Sequence, residues 1–136
     1  LDQPGHGDFI LPDPNLKSDW RNPQNGNLWQ GENGINNPCP IGYRVPTLAE
    51  WTSEITATNQ SFSYFNSLFL PHAGYRSFDQ NRFDLFEGTH AFYWTSTVST
   101  QTSGFSTAVY FNSSTPKGLV SEQPRGYGFA VRCIKD

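Results

Sequence analysis

The stretch Asp79-Gln-Asn-Arg-Phe-Asp-Leu-Phe-Glu87 places Asp79, Asn81, Asp84 and Glu87 within nine residues. Hard cations take about six to eight oxygens, mainly from carboxylates and amide carbonyls on loops, so this stretch offers several calcium donors. It is not an EF-hand loop, because the spacing and the glycine are wrong. The plainer reading is a solvated polar loop with Phe83 and Phe86 tucked inward. A second oxygen-rich stretch carries Asp8, Asp13, Asn15 and Asp19 and reads equally as a surface arm. Glu122 and Gln123 could join Asp79 or Asp84 around one ion. Open positions on that ion would take a ligand carboxylate or a pair of sugar hydroxyls.

Other residues suit ligand recognition. Arg76, Arg82 and Arg125 are candidate carboxylate partners, since a guanidinium binds a carboxylate through two parallel hydrogen bonds. Tyr75, Tyr110 and Tyr127 offer apolar walls with a polar tip. Signs of catalysis are sparse. His6, His72 and His90 show no metal-ligand spacing to one another. There is no Gly-x-Ser-x-Gly elbow and no phosphate-binding glycine loop. The expectation is a domain that is not an enzyme.

Cys39 and Cys133 are the two cysteines. A pair of free buried thiols is the bland reading. Their placement favours a bridge, since one opens the patterned region and the other nearly ends the chain. Closing a loop of about 95 residues stabilises by roughly 4–5 kcal/mol on the chain-entropy model. A bridge implies an oxidising compartment and removes both candidate thiolate nucleophiles.

The chain has 136 residues, the size of one domain, and 1–136 is read as one unit. Its 11 Phe, 6 Tyr and 4 Trp imply a core built on rings. Net charge is −3 and the nine basic residues are scattered, which argues against a nucleic-acid surface. No apolar run reaches the roughly 18–20 residues that span a bilayer, so no membrane insertion is expected. No signal peptide is visible, and the chain reads as a monomeric domain of a larger protein.

Residues 1–37 form an irregular segment rich in turn residues, pinned by Trp20, Leu28 and Trp29, with a turn at Asn25-Gly26 that would join two short strands. Thr47-Leu-Ala-Glu50 is a capping box, and Leu48, Trp51 and Ile55 follow at helical spacing, predicting a helix to about Thr56. A second helix is predicted over 61–69, capped by Ser61, with Phe62, Phe65, Leu68 and Phe69 inward. Strands are predicted over 91–97, 105–112 and 127–134. The last places Phe129, Val131 and Cys133 on one face and Ala130, Arg132 and Ile134 on the other. Long loops at 76–90, 98–105 and 113–126 remain between the predicted elements. Trp51 and Trp94 read as core, and Arg132 as partner to a carboxylate such as Glu50. The class is α+β.

Cys39-Pro-Ile-Gly-Tyr-Arg-Val-Pro-Thr-Leu-Ala-Glu-Trp51 resembles the opening signature of the Fibrobacter succinogenes major paralogous domain. Ala73-Gly-Tyr-Arg76, Tyr93-Trp-Thr-Ser-Thr97 and Gly126-Tyr-Gly-Phe-Ala-Val-Arg-Cys-Ile-Lys-Asp136 look like its later ones. The resemblance covers 38–136. It implies a C-type-lectin-like fold, two helices packed on a twisted antiparallel sheet with long loops, in a bacterial surface or secreted protein. Similar domains occur in large calcium-dependent adhesins of the RTX type, some of them peptide-binding. That fold class also includes formylglycine-generating enzymes, but the expected bridge leaves no reactive cysteine. The resemblance and the loops together imply a calcium-dependent module that recognises a peptide or protein end on another cell surface. A calcium-dependent lectin and a structural spacer are the alternatives.

Overall fold

A computed structural model describes residues 5–10, 12, 19–57, 70–78, 85–112 and 118–136. Its elements are β1 (Tyr43–Arg44), α1 (Leu48–Ala57), β2 (His90–Val98), β3 (Phe105–Asn112), β4 (Leu119–Pro124) and β5 (Ile134–Lys135).

Helix α1 begins where the capping box places it. The Thr47 amide donates to Glu50 Oε2 at 2.8 Å, and the Glu50 amide donates to Thr47 Oγ1 at 3.2 Å. Two orphan amides at the helix start are thus satisfied reciprocally. The Leu48 amide donates to Thr97 Oγ1 at 3.0 Å, which ties the helix start to the end of β2. Trp51 and Ile55, one turn apart, turn the same face to the core.

Strands β2, β3 and β4 form an antiparallel sheet in that order. Its register pairs Tyr93 with Val109 and Val109 with Val120. On one face Ala91, Tyr93, Val109 and Phe111 pack with Trp51 and Leu70 into the main core. Trp51 lies 5.9 Å from the Tyr93 ring and 6.3 Å from Phe111. Burial raises the pKa of the Tyr93 phenol, which donates to the Pro71 carbonyl at 3.0 Å. The β2–β3 register shifts between Trp94 and Val98. There the buried Thr95 and Thr107 hydroxyls meet at 2.5 Å, and Thr107 donates on to the Thr97 carbonyl.

Strands β1 and β5 form a second, two-stranded sheet. The Cys39–Cys133 disulfide closes it, with Cα atoms 5.8 Å apart. Arg44 grips Glu50 through both terminal nitrogens, at 2.8 and 2.6 Å, and donates from Nε to Asp136 at 2.6 Å. Arg44 thus takes the partnership with Glu50 that was expected of Arg132, because β1 leads directly into the capped helix while Arg132 is exposed near the C-terminus.

The hydrogen bond from Arg44 holds the Glu50 carboxyl down at about 2, against burial, which raises it, and with help from the Thr47 amide. The folded pKa lies below the ordinary value of 4.5, so this contribution is complete above about pH 4.5 and is lost as pH falls toward about 2. Glu50 is 38% exposed, so solvent screening keeps the effect modest. Glu50→Gln is expected to melt below the parent at pH 7, with the gap closing on acidification to pH 2. A gap that stays constant across that range would show the pair to be neutral in stability.

The architecture corrects the expected fold. The described residues are mostly β, with one short helix and two small antiparallel sheets, rather than two helices packed on one twisted sheet. The second helix predicted over 61–69 lies outside the described residues. Residues 119–124, assigned to a loop, form β4. Segment 127–134 is not one strand. It bridges Arg76 at Gly128 and Tyr93 at Ala130, and then reaches β1 only at Ile134 and Lys135. No single strand accompanies it. Asn25-Gly26 does not join two strands, since the one nearby bridge links Leu28 to Ile35.

Candidate functional site

The second face of the β2–β3–β4 sheet is also aromatic. Pleating sends alternate side chains to opposite faces. His90, Phe92 and Trp94 of β2, Tyr110 of β3, and Leu119, Ser121 and Gln123 of β4 therefore share the face away from α1. Phe92 stacks on Tyr110 at 4.9 Å and on Phe129 at 5.0 Å, and Phe129 lies 4.4 Å from Trp94. Tyr75 meets Phe92 edge-on at 5.0 Å and Tyr127 at 5.4 Å. Such pairs stabilise beyond their area.

This wall lines a cleft of about 510 Å³, with β4 along one side. Among the described residues its lining carries no charged side chain, and His90 is the one titratable base among its rings. Phe86, Leu119 and Val120 stand at its edge, 52, 47 and 46% exposed.

Phe86 is held there against its backbone preference. Its φ is +63°, a conformation that bulky residues rarely adopt. Its carbonyl accepts from the Thr89 amide at 3.1 Å, the Thr89 hydroxyl at 3.0 Å and the His90 amide at 3.0 Å. Gly74 backs the same turn at φ +64°, where a Cβ would strike the Leu85 carbonyl oxygen. Strain held by surrounding structure is common at binding sites.

The structure brings together some of the residues singled out in the sequence. Tyr75, Tyr110, Gln123 and Tyr127 all line the cleft. Of the arginines singled out, the two that are described, Arg76 and Arg125, do not line it. The Arg76 guanidinium lies 4.0 Å above the Phe9 ring, and its backbone pairs with Gly128. Arg125 points to a different pocket, lined by Trp20, Leu28, Trp29 and Trp94. There it donates to Asp19 at 3.2 Å and to the Phe105 carbonyl and Ser106 hydroxyl, each at 3.2 Å. That pair also removes Asp19 from any oxygen-rich ion site. Asp8 is exposed beside His6, and Asp13 and Asn15 lie outside the described residues.

For calcium, Asp79, Asn81, Asp84 and the neighbouring Arg82 lie outside the described residues. Glu87 is exposed in the turn after Phe86, and Glu122 is exposed on β4, on the sheet face opposite Gln123. These two carboxylates do not by themselves make a calcium site. Among the described residues, no three His, Cys, Asp or Glu side chains are grouped to hold a metal ion. Sequence reasoning missed His90, Phe92, Phe129, Phe86 and Leu119 as cleft residues. The available signal was a strand apolar on both of its faces, which needs a second covering layer or a ligand.

No family model, curated protein or solved structure matches the chain, so its resemblance to the Fibrobacter succinogenes major paralogous domain rests on the sequence motifs alone.

Proposed function

We propose that this chain is a non-enzymatic, extracellular ligand-binding module of a bacterial surface adhesin, recognising a peptide or protein end through the aromatic cleft. The single observation behind this reading is the open second face of the sheet. Exposed apolar patches rimmed by polar groups mark interaction sites more often than they occur by accident. Concave, mostly apolar sites with a few polar groups are also the usual form of ligand pockets. Ser121 and Gln123 supply those polar groups here. The disulfide is compatible with an extracellular location, and no described helix is long and apolar enough to cross a membrane. Calcium dependence belongs to the same proposal and rests on the acidic stretch from Asp79 to Glu87. Arg125 drops out of it, being committed to Asp19.

Peptide and glycan array screens with and without calcium test the reading. Peptide hits are expected, weakened about fivefold or more by Phe86→Ala or Leu119→Ala, both exposed positions that leave the core intact. Amidation of the peptide's carboxyl end is expected to abolish binding if the end is read. Hits confined to glycans and competed by simple sugars would replace this reading with a lectin. If calcium neither binds by calorimetry nor raises the melting temperature, the calcium part is withdrawn.

A further inference from the structure

The geometry points to the free edge of β4 as the place where an extended peptide adds as a further antiparallel strand; this rests on the peptide-binding reading and names how the peptide is held. The ladder fixes which groups are available. The Arg125 amide donates to the Gly104 carbonyl at 3.0 Å, next to the paired residues Phe105 and Pro124. Hydrogen-bonded and non-bonded pairs alternate in an antiparallel ladder. Ser106–Gln123, Ala108–Ser121 and Tyr110–Leu119 are therefore bonded pairs. Val120, Glu122 and Pro124 turn their backbone groups away from β3. Pro124 fits this assignment, since proline in a sheet sits where its missing N–H faces outward. The Pro124 carbonyl accepts from the Tyr127 amide at 3.2 Å. That leaves the amides and carbonyls of Val120 and Glu122, and among the described residues no strand pairs with this edge.

An exposed edge is a ready template for another chain, and natural edges are usually blunted by charge, bulges or covers. Here Leu119 and Val120 stand exposed on it, and the aromatic cleft runs along the same strand. The cleft and the edge together specify the peptide. A residue opposite Ser121 would face the aromatic wall, uncharged among the described residues, which fits an apolar or aromatic side chain. A residue opposite Glu122 would face an exposed carboxylate, which fits Lys or Arg, because opposite charges on facing strand positions attract. The occupant is thus an extended segment alternating aromatic and basic or aliphatic residues. Main-chain bonds give affinity and alternate side chains give selectivity, as in other strand-addition sites.

The probe is Ac-Thr-Ile-Lys-Tyr-Val-Tyr-Thr with its carboxyl end free, titrated into the intact chain and followed by amide NMR and hydrogen exchange. Saturation is expected to slow exchange at the Val120 and Glu122 amides. N-methylation of the peptide valine, which faces Val120, removes a main-chain donor and is expected to weaken binding about tenfold. Glu122→Lys is expected to weaken the lysine peptide about two- to fivefold and to favour its glutamate counterpart. Three results would each overturn the proposal: no binding up to about 1 mM, N-methylation without effect, or protection only through self-association of the chain. Binding of free-ended peptides in the cleft, with Val120 and Glu122 still exchanging freely, would also overturn it while leaving the peptide-binding reading intact.

Discussion

Replacing both cysteines, as Cys39→Ala with Cys133→Ala, is expected to lower the unfolding free energy by about 4–5 kcal/mol. The residues are 94 apart in sequence, so the bridge closes nearly the whole patterned region. Its stabilisation acts mainly by restricting the unfolded chain, and the restriction grows with loop length. Domains of this size are stable by about 5–15 kcal/mol, so the variant would stand near the edge of folding. The melting temperature is expected to fall by roughly 12–20 °C. The local interactions near the bridge are too few to compensate. Strands β1 and β5 share only two residue pairs, and beyond them Asp136 is held by Arg44 and by its own amide on the Gly42 carbonyl. Urea denaturation separates the possible causes. If the bridge acts on the unfolded state, the midpoint falls and the slope rises, because the unlinked denatured chain exposes more surface. A loss below about 1 kcal/mol would mean that the loop ends are already close in the denatured ensemble.

The helix start and the disulfide were legible because their causes are local or compositional. A capping box needs four consecutive residues, and its two reciprocal bonds form as read. Trp51 and Trp94 were legible as core from size alone, and both are buried. Strand β4 was not legible. Ser121, Glu122 and Gln123 have little intrinsic preference for a strand, and Leu119 and Val120 are exposed rather than alternating in burial. Its conformation is imposed by pairing with β3, which no local pattern records. The division of 127–134 among three partners was hidden for the same reason. Arg125 was misplaced for a related one: its partner lies 106 residues away in the segment read as irregular. A charged residue in a long loop looks available until its counter-charge is known. The cleft was half legible, since Tyr75, Tyr110, Gln123 and Tyr127 were named while Phe92 and Phe129 were read only as strand residues.

The pairing of Asp19 with Arg125 makes the second large prediction. Asp19 is 2% exposed, and the Arg125 side chain 15%. Asp19 Oδ1 accepts from the Arg21 amide at 3.1 Å, and Oδ2 from Arg125 at 3.2 Å. The guanidinium also donates to the Asn25 carbonyl at 3.4 Å. One ion pair therefore fastens residues 19–25 to the end of the β3–β4 hairpin, beside the pocket of Trp20, Trp29 and Trp94. Asp19→Ala leaves a largely buried guanidinium without its counter-charge, and is expected to cost about 3–5 kcal/mol. Adding Arg125→Met should recover part of that loss, because a buried pair replaced by apolar groups of similar volume is often neutral. The sum of the two single losses is then expected to exceed the loss in the double variant. If the singles simply add, the pair contributes no coupling and Arg125 is held by its bonds to the Phe105 and Asn25 carbonyls and Ser106. Hydrogen exchange decides where the loss falls. A segment that opens on its own caps the cost at its own opening free energy, and the sheet amides then stay protected while those of 19–30 do not. Global loss of protection would show instead that residues 19–25 belong to the cooperative core, and that the irregular segment is part of what keeps the sheet, and with it the aromatic cleft, in place.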